Sequence, residues 1–97
     1  MFNLKISDAA ELDLENIFEY TFENFGEEKW IDYESKIQIN IEKILNNPQI
    51  GHSRNDIPKN YLAWPVEKHF LIYLQVENTV HLVRILHEKL NFLNQFN

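Results

Sequence analysis

The last third of the chain most constrains the fold, because it is the most strand-like part of the sequence. Leu71–Gln75 and Val80–Ile85 are rich in aliphatic and β-branched residues, which favour extended structure. Glu77, Asn78 and Thr79 lie between them and are typical of a turn. We therefore predict a β-hairpin with strands over residues 69–76 and 80–86.

The second strand of this hairpin is apolar on both sides. Strict alternation places Val80, Leu82, Arg84 and Leu86 on one face and His81, Val83, Ile85 and His87 on the other. A strand with two largely apolar faces is typical of the interior of a sheet. We predict that it is a central strand.

The first half of the chain reads as a short strand followed by two helices. Phe2–Ile6 alternates apolar and polar residues, as a half-buried strand does. A helix begins at Ser7 or Asp8 and ends at Gly26, which suits a left-handed helix end. A second helix begins near Glu27 and ends before Pro48, which cannot continue it. So short a link predicts an antiparallel helical hairpin.

The remaining segments are a long loop, an edge strand and a tail. Residues 46–60 contain Pro48, Gly51 and Pro58 and are predicted to form a loop, in which Arg54 and Asp56 can pair locally. Tyr61–Pro65 is short and ends in proline, which favours an edge strand. Glu88–Phe96 is predicted to form a C-terminal helix that docks through Leu90, Leu93 and Phe96.

This order of elements predicts one α+β domain over residues 1–97. It comprises an N-terminal strand, an antiparallel helical hairpin, a three-stranded antiparallel meander and a short C-terminal helix. Two helices that precede a meander cannot build a doubly wound sheet. They are expected to pack on one face of a mainly antiparallel sheet.

Composition and charge exclude several classes of function. The chain has no cysteine, and its four histidines lack the spacing of metal ligands, so we expect no metal site. Residues 8–34 hold ten acidic residues and one basic residue, the net charge is −6, and only two arginines are present. Direct nucleic-acid binding is therefore disfavoured. No apolar run is long enough to span a membrane, and we expect a cytoplasmic protein.

Four residues are candidates for contact with a partner. Arg84 either pairs with a helix acid at the rim of the sheet or binds a carboxylate of another protein. His87 and Lys89 follow it into the tail, and Trp64, beside Pro65, is expected to be an exposed aromatic anchor. His69 and His81 are expected to face solvent.

Three stretches of the chain resemble the RelE/ParE toxin superfamily, and most closely its ParE branch. The first helix matches the pattern A-x-x-D-L-x-x-I-x-x-Y-T-x-x-x-F-G at Ala10, Asp13, Leu14, Ile17, Tyr20, Thr21, Phe25 and Gly26. The loop is similar to N-P-x-x-G-x-x-x-D at Asn47, Pro48 and Gly51, with Asp56 one position later than the acid of the pattern. The hairpin is similar to H-x-I-F-Y followed by R-I-L-H, at His69, Ile72, Tyr73, Arg84, Ile85, Leu86 and His87. The chain departs from the family at Leu90-Asn91, where Met-Asp is usual, and at Leu62-Ala63, where Arg and a polar residue are common.

The resemblance implies a toxin of a type II toxin–antitoxin system that is held inactive in a hetero-oligomer by a cognate antitoxin. The antitoxin is expected to add a strand or to lay a helix on the toxin. ParE-type toxins inhibit DNA gyrase by binding, without a cofactor, which makes Arg84, His87, Lys89 and Trp64 the expected contact residues. One alternative is a ribosome-dependent mRNA interferase in which Arg84 and His87 are catalytic. Another is a degenerate, non-toxic family member.

Overall fold

Two helices lie against a four-stranded sheet in a computed structural model that describes residues 1–96. The elements are β1 (Asn3–Ile6), α1 (Asp8–Phe25), α2 (Glu27–Asn46), a 3₁₀ turn (Pro48–Ile50), β2 (Leu62–Val66), β3 (His69–Val76), β4 (Thr79–His87) and a second 3₁₀ turn (Phe92–Gln95). The strand order is β1-β4-β3-β2, with β1 parallel to β4 and the other pairs antiparallel. The predicted α+β class, the central position of β4 and the edge position of β2 are confirmed.

The turn from β1 into α1 is fixed by Ser7. Its hydroxyl oxygen accepts a hydrogen bond from the backbone N–H of Ala10 at 3.0 Å, which caps the helix. The same hydroxyl donates to the backbone carbonyl of Val83 at 2.6 Å. At the other end, Gly26 has a φ of +88° and joins the two helices with no further residue, as the sequence predicts.

Both faces of the sheet are covered, each by a different part of the chain. The helical hairpin packs on one face through an apolar core formed by Ala10, Ile17, Ile37, Ile44, Leu45, Val66, Leu71, Tyr73, Val80, Leu82 and Ile85. The long loop and the tail cover part of the other face, with a smaller core formed by Ile57, Ala63, Ile72, Leu86 and Phe92. Where the loop and the tail cover it, the sheet is therefore the middle of three layers.

A β-bulge in the hairpin overturns the predicted alternation of β4. Tyr73 lies opposite Leu82, but Ile72 lies opposite Arg84, so Val83 has no counterpart on β3. Beyond the bulge the two faces exchange. Ile85 joins Val80 and Leu82 under the helices, and Leu86 packs in the smaller core on the other face. The prediction that Leu86 shares a face with Val80 and Leu82 is wrong because alternation holds only without an inserted residue.

The long loop is fastened to the sheet by Tyr73. The fully buried hydroxyl of this residue donates to the carbonyl of Pro48 at 2.8 Å and accepts from the backbone N–H of Gly51 at 2.9 Å. A Cβ at Gly51 would lie 2.5 Å from that hydroxyl, so the contact requires glycine. His52 then forms a bridge to the outer edge of β2 at Ala63. The predicted loop is thus ordered by specific contacts.

The predicted C-terminal helix over Glu88–Phe96 is wrong. Residues 88–90 form a turn, and only Phe92–Gln95 is helical, as one 3₁₀ turn. Phe92 is 2% exposed, whereas Leu90 and Leu93, two of the three expected docking residues, are largely exposed. The third, Phe96, is half-buried against the smaller core. The ring of Phe92 lies edge to face against Phe70. The guanidinium carbon of Arg54 lies 4.2 Å from the centroid of the Phe92 ring. Phe92 is the buried anchor of the tail, with further contacts from Gln95 to Arg84 and from Phe96 to Tyr61, and no amphipathic helix forms.

No helix within residues 1–96 combines the length and apolar character needed to cross a bilayer.

Candidate partner-binding surface

Arg84 forms a bidentate ion pair with Asp13 of α1. Its Nε and Nη2 donate to the two carboxylate oxygens at 2.8 and 2.9 Å. The side chains are 21% and 14% exposed. The hydrogen bonds that the guanidinium donates to Asp13 raise the pKa of Arg84. Nη1 also reaches Oε1 of Gln95 in the tail at 3.4 Å. The predicted pairing with a helix acid is confirmed.

The ion pair closes an open edge of the sheet. β1 pairs with β4 only as far as Leu82, so beyond that residue β4 has β3 on one side and no strand on the other. The hydroxyl of Ser7 donates to the carbonyl of Val83, and the carboxylate of Asp13 accepts from the N–H of Ile85 at 2.9 Å. The side chains of Ser7 and Asp13 therefore take the place of a strand and occupy backbone groups with which another chain could pair.

His87 does not lie with Arg84. Residues 84 and 87 fall on opposite faces of β4, since Arg84 is paired with Ile72 and His87 with His69. The ring of His87 lies 5.1 Å from that of His69 on the helix side of the sheet. Its Nδ1 accepts a hydrogen bond from the backbone N–H of Lys89 at 3.1 Å.

His69 is half-buried, so its predicted exposure to solvent is wrong. Its Nδ1 is hydrogen-bonded to the hydroxyl of Tyr33 on α2. That hydroxyl donates its hydrogen to the carbonyl of Val66 at 3.1 Å. Burial, together with the adjacent His87, lowers the pKa of His69 to about 4. Burial and the charges of Glu67 and Glu88 raise the pKa of Tyr33. His81 is also half-buried.

Trp64 and Lys89 lie on different parts of the surface. Trp64 is half-buried, which corrects the predicted exposure: its indole N–H donates to Asn40 at 2.9 Å and its ring stacks on His52. Lys89 is exposed just beyond β4. Of the four candidates, only His87 and Lys89 come together. Trp64 on β2 and Arg84 on β4 are separated by β3, and their side chains lie on opposite faces of the sheet.

Sequence reasoning missed Asp13, Tyr33 and His69 as partners of these residues. The pairing of Asp13 with Arg84 spans 71 residues. Asp13 belongs to the family-like pattern of the first helix, but that pattern does not indicate which side chain it contacts. The contact between His69 and His87 depends on the bulge, because simple counting from the turn places Leu86 opposite His69. Within residues 1–96, no group of three or more His, Asp or Glu side chains is arranged to hold a metal ion.

Comparison with known proteins identifies relatives along nearly the whole chain. Residues 4–92 match a family model described as the ParE toxin of the type II toxin–antitoxin system, parDE. A protein named Toxin ParE1 from Mycobacterium tuberculosis is 30% identical over 87 residues, with 89% of each chain covered. A Toxin ParE1 from Caulobacter vibrioides is 29% identical over 87 residues, with 90% of each chain covered.

Two solved structures share the fold. A chain of the chromosomal ParDE TA system from P. aeruginosa superposes with a TM-score of 0.77 at 18% identity, covering 90% of this chain and 96% of that one. A conserved hypothetical protein from Helicobacter pylori gives a TM-score of 0.53 at 14% identity, covering 90% and 94%. At these identities the likeness concerns the arrangement of helices and strands.

Proposed function

We propose, because the chain belongs to the ParE toxin family of type II toxin–antitoxin systems, that it inhibits DNA gyrase by binding and that a cognate antitoxin neutralises it in the cytoplasm. The observation that carries this proposal is the family match over residues 4–92. It includes both helices and all four strands, so the whole architecture of the family is present.

The position of Arg84 favours binding over RNA cleavage. Metal-free cleavage of RNA requires a base, an acid and a cation around one phosphate. Arg84 is held by Asp13 and Gln95, and His87 lies on the opposite face of β4. These two residues, the leading candidates for catalysis, lie on opposite faces of the strand. The mRNA interferase alternative is therefore less well supported.

The outer edge of β1 suits an added strand of the antitoxin. Asn3 and Ser7 donate their backbone N–H groups toward β4, to Asn78 and Leu82. By alternation, the backbone groups of Leu4 and Ile6 point away from the sheet. The edge of β2 is less accessible, since His52 pairs with it and Pro65 lacks an N–H. Strand addition at β1 would recruit the antitoxin through main-chain hydrogen bonds.

His87 and Lys89 form the part of the proposed target surface that is most available. They adjoin at the end of β4, and Lys89 is exposed. Arg84 would act on this surface indirectly, by holding Gln95 and the tail. Trp64, on the far side of β3, would contact a large partner only at its periphery.

The test is a supercoiling assay with purified gyrase, run beside a translating ribosome extract. We expect the chain to block supercoiling and to leave mRNA intact. Lys89→Glu should reduce inhibition by at least about tenfold if Lys89 contacts the target. Lys59→Glu, an exposed change outside the surface, is the matched control.

Each other outcome has a defined meaning. Ribosome-dependent mRNA cleavage that Arg84→Ala abolishes would contradict the proposal and support the interferase alternative. Inertness in both assays, with harmless expression in the absence of the antitoxin, would support a non-toxic family member. Addition of the protein encoded by the adjacent reading frame should restore supercoiling if that protein is the antitoxin.

A further inference from the structure

A groove runs between the helical hairpin and the turn that joins β2 to β3. Its volume is about 650 Å³, which is large for a chain of 97 residues and within the range of ligand-binding clefts. Ile17, Tyr20 and Phe25 of α1 supply its apolar lining. Tyr20 and Phe25 are 63% and 60% exposed and meet edge to face. Large aromatic rings this exposed are typical of a contact surface.

The lining of the groove carries a small net positive charge, because three lysines stand against two carboxylates. Lys36 is paired with both Asp32 and Glu67, at 3.2 and 2.8 Å, so these two acids are already engaged. Lys29 on α2 and Lys68 in the β2–β3 turn also line the groove. Neither has a carboxylate within 4 Å among residues 1–96. In a chain of net charge −6, the groove therefore places two free ammonium groups on opposite walls.

The hydrogen bonds at the inner end of the groove fix which ring nitrogens of the two histidines carry hydrogen. The hydroxyl of Tyr33 has one hydrogen, and the carbonyl of Val66 can only accept. Both contacts of Tyr33 are hydrogen bonds only if Nδ1 of His69 donates to the phenolic oxygen. His87 accepts at Nδ1 from Lys89, so neutral His87 carries its hydrogen on Nε2. His87 thus brings a hydrogen-bond donor to the groove.

We propose that this groove is a docking site for a segment of a partner protein that carries a carboxylate beside a large apolar side chain. The apolar side chain would lie on Ile17, Tyr20 and Phe25. Carboxylates would face Lys29 and Lys68, with the Nε2–H of His87 as a further donor. Charge complementarity selects this occupant, because the two carboxylates of the groove are bonded to Lys36 whereas Lys29 and Lys68 have no carboxylate partner among residues 1–96. The inference holds whichever cellular target the toxin has.

The test uses short peptides of defined charge and two-dimensional ¹H–¹⁵N NMR of the full chain at pH 7 and low salt. The probe is acetyl-Glu-Leu-Phe-Glu-amide, and its matched neutral control is acetyl-Gln-Leu-Phe-Gln-amide. Two exposed ion pairs correspond to about a fivefold preference for the Glu peptide in Kd. The largest shifts are expected at Tyr20, Phe25, Lys29 and Lys68.

Two double variants locate the charge effect. Lys29→Gln with Lys68→Gln should abolish the preference for the Glu peptide, whereas Lys43→Gln with Lys59→Gln should keep it. These exposed changes leave the fold intact, which the dispersion of the spectrum verifies. Equal affinity for the two peptides would overturn the proposal, as would shifts that map away from the groove. Neither gyrase nor an antitoxin takes part, so failure here is distinct from failure of the proposed function.

Discussion

Asp13 and Arg84, 71 residues apart in the chain, are joined by two parallel hydrogen bonds of 2.8 and 2.9 Å. The same carboxylate accepts the backbone N–H of Ile85. One side chain of α1 thus neutralises the only arginine of the hairpin and completes the hydrogen bonding of β4 where β1 has ended. The pair joins the first helix to the last strand, and so contributes to both stability and the shape of the proposed target surface.

Removing the charge of Asp13 should destabilise the fold substantially. Asp13→Asn leaves the Arg84 guanidinium partly buried without a counter-ion, and we expect a loss of about 2–3 kcal/mol in the free energy of unfolding. The measurement is urea unfolding followed by circular dichroism. Asp56→Asn breaks the local pair with Arg54, which is more exposed, and should cost less than about 1 kcal/mol. Equal effects of the two changes would contradict the structural role assigned to Asp13.

The stability of the fold should depend on pH through His69. Its pKa is about 4 in the folded chain and 6.5 as an ordinary histidine. Between these values the unfolded chain binds a proton that the folded chain does not, so stability should fall as pH decreases from 6.5 to 4. His69→Gln should flatten this part of the profile in urea titrations at successive pH values. His52→Gln controls for the loss of an imidazole, and an unchanged slope in His69→Gln would refute the assignment.

The hydroxyl of Tyr73 should be worth more than that of any exposed tyrosine. Tyr73→Phe would leave the Pro48 carbonyl and the Gly51 N–H without their partner, at a cost of about 1–3 kcal/mol. Hydrogen exchange at Gly51 should accelerate, since the loop loses its attachment to β3. Tyr61→Phe is the control: the Tyr61 hydroxyl has no protein partner within residues 1–96, and its loss should change stability by less than about 0.5 kcal/mol. The idea fails if both variants unfold at the same urea concentration.

The tail should depend on one aromatic residue. Phe92→Ala removes the side chain at the centre of the smaller core and should cost about 3–4 kcal/mol. Leu93→Ala, next to it but 57% exposed, should be close to neutral. Thermal unfolding of the two variants compares them directly. A larger loss of stability in Leu93→Ala than in Phe92→Ala would contradict this arrangement and support the C-terminal helix predicted from the sequence.

The sequence allowed the element order, the helical hairpin and the sheet class to be predicted, because these follow from local periodicity and from a few turn residues. Ser7, Gly26 and Pro48 mark the helix ends within a residue or two. The arrangement around Arg84 and His87 was only partly predictable. Which of ten acids pairs with Arg84 depends on tertiary packing. The contacts of His69 depend on one unpaired residue that no local pattern marks.

That unpaired residue, Val83, divides the hairpin into two halves of opposite phase. Near the turn, even-numbered residues of β4 face the helices, and beyond it odd-numbered ones do. If Val83 were instead paired with Ile72, Leu86 would lie opposite His69 and His87 would turn away from the groove. The paired histidines at the end of the hairpin, His69 and His87, therefore depend on the backbone of Val83 and not on its side chain.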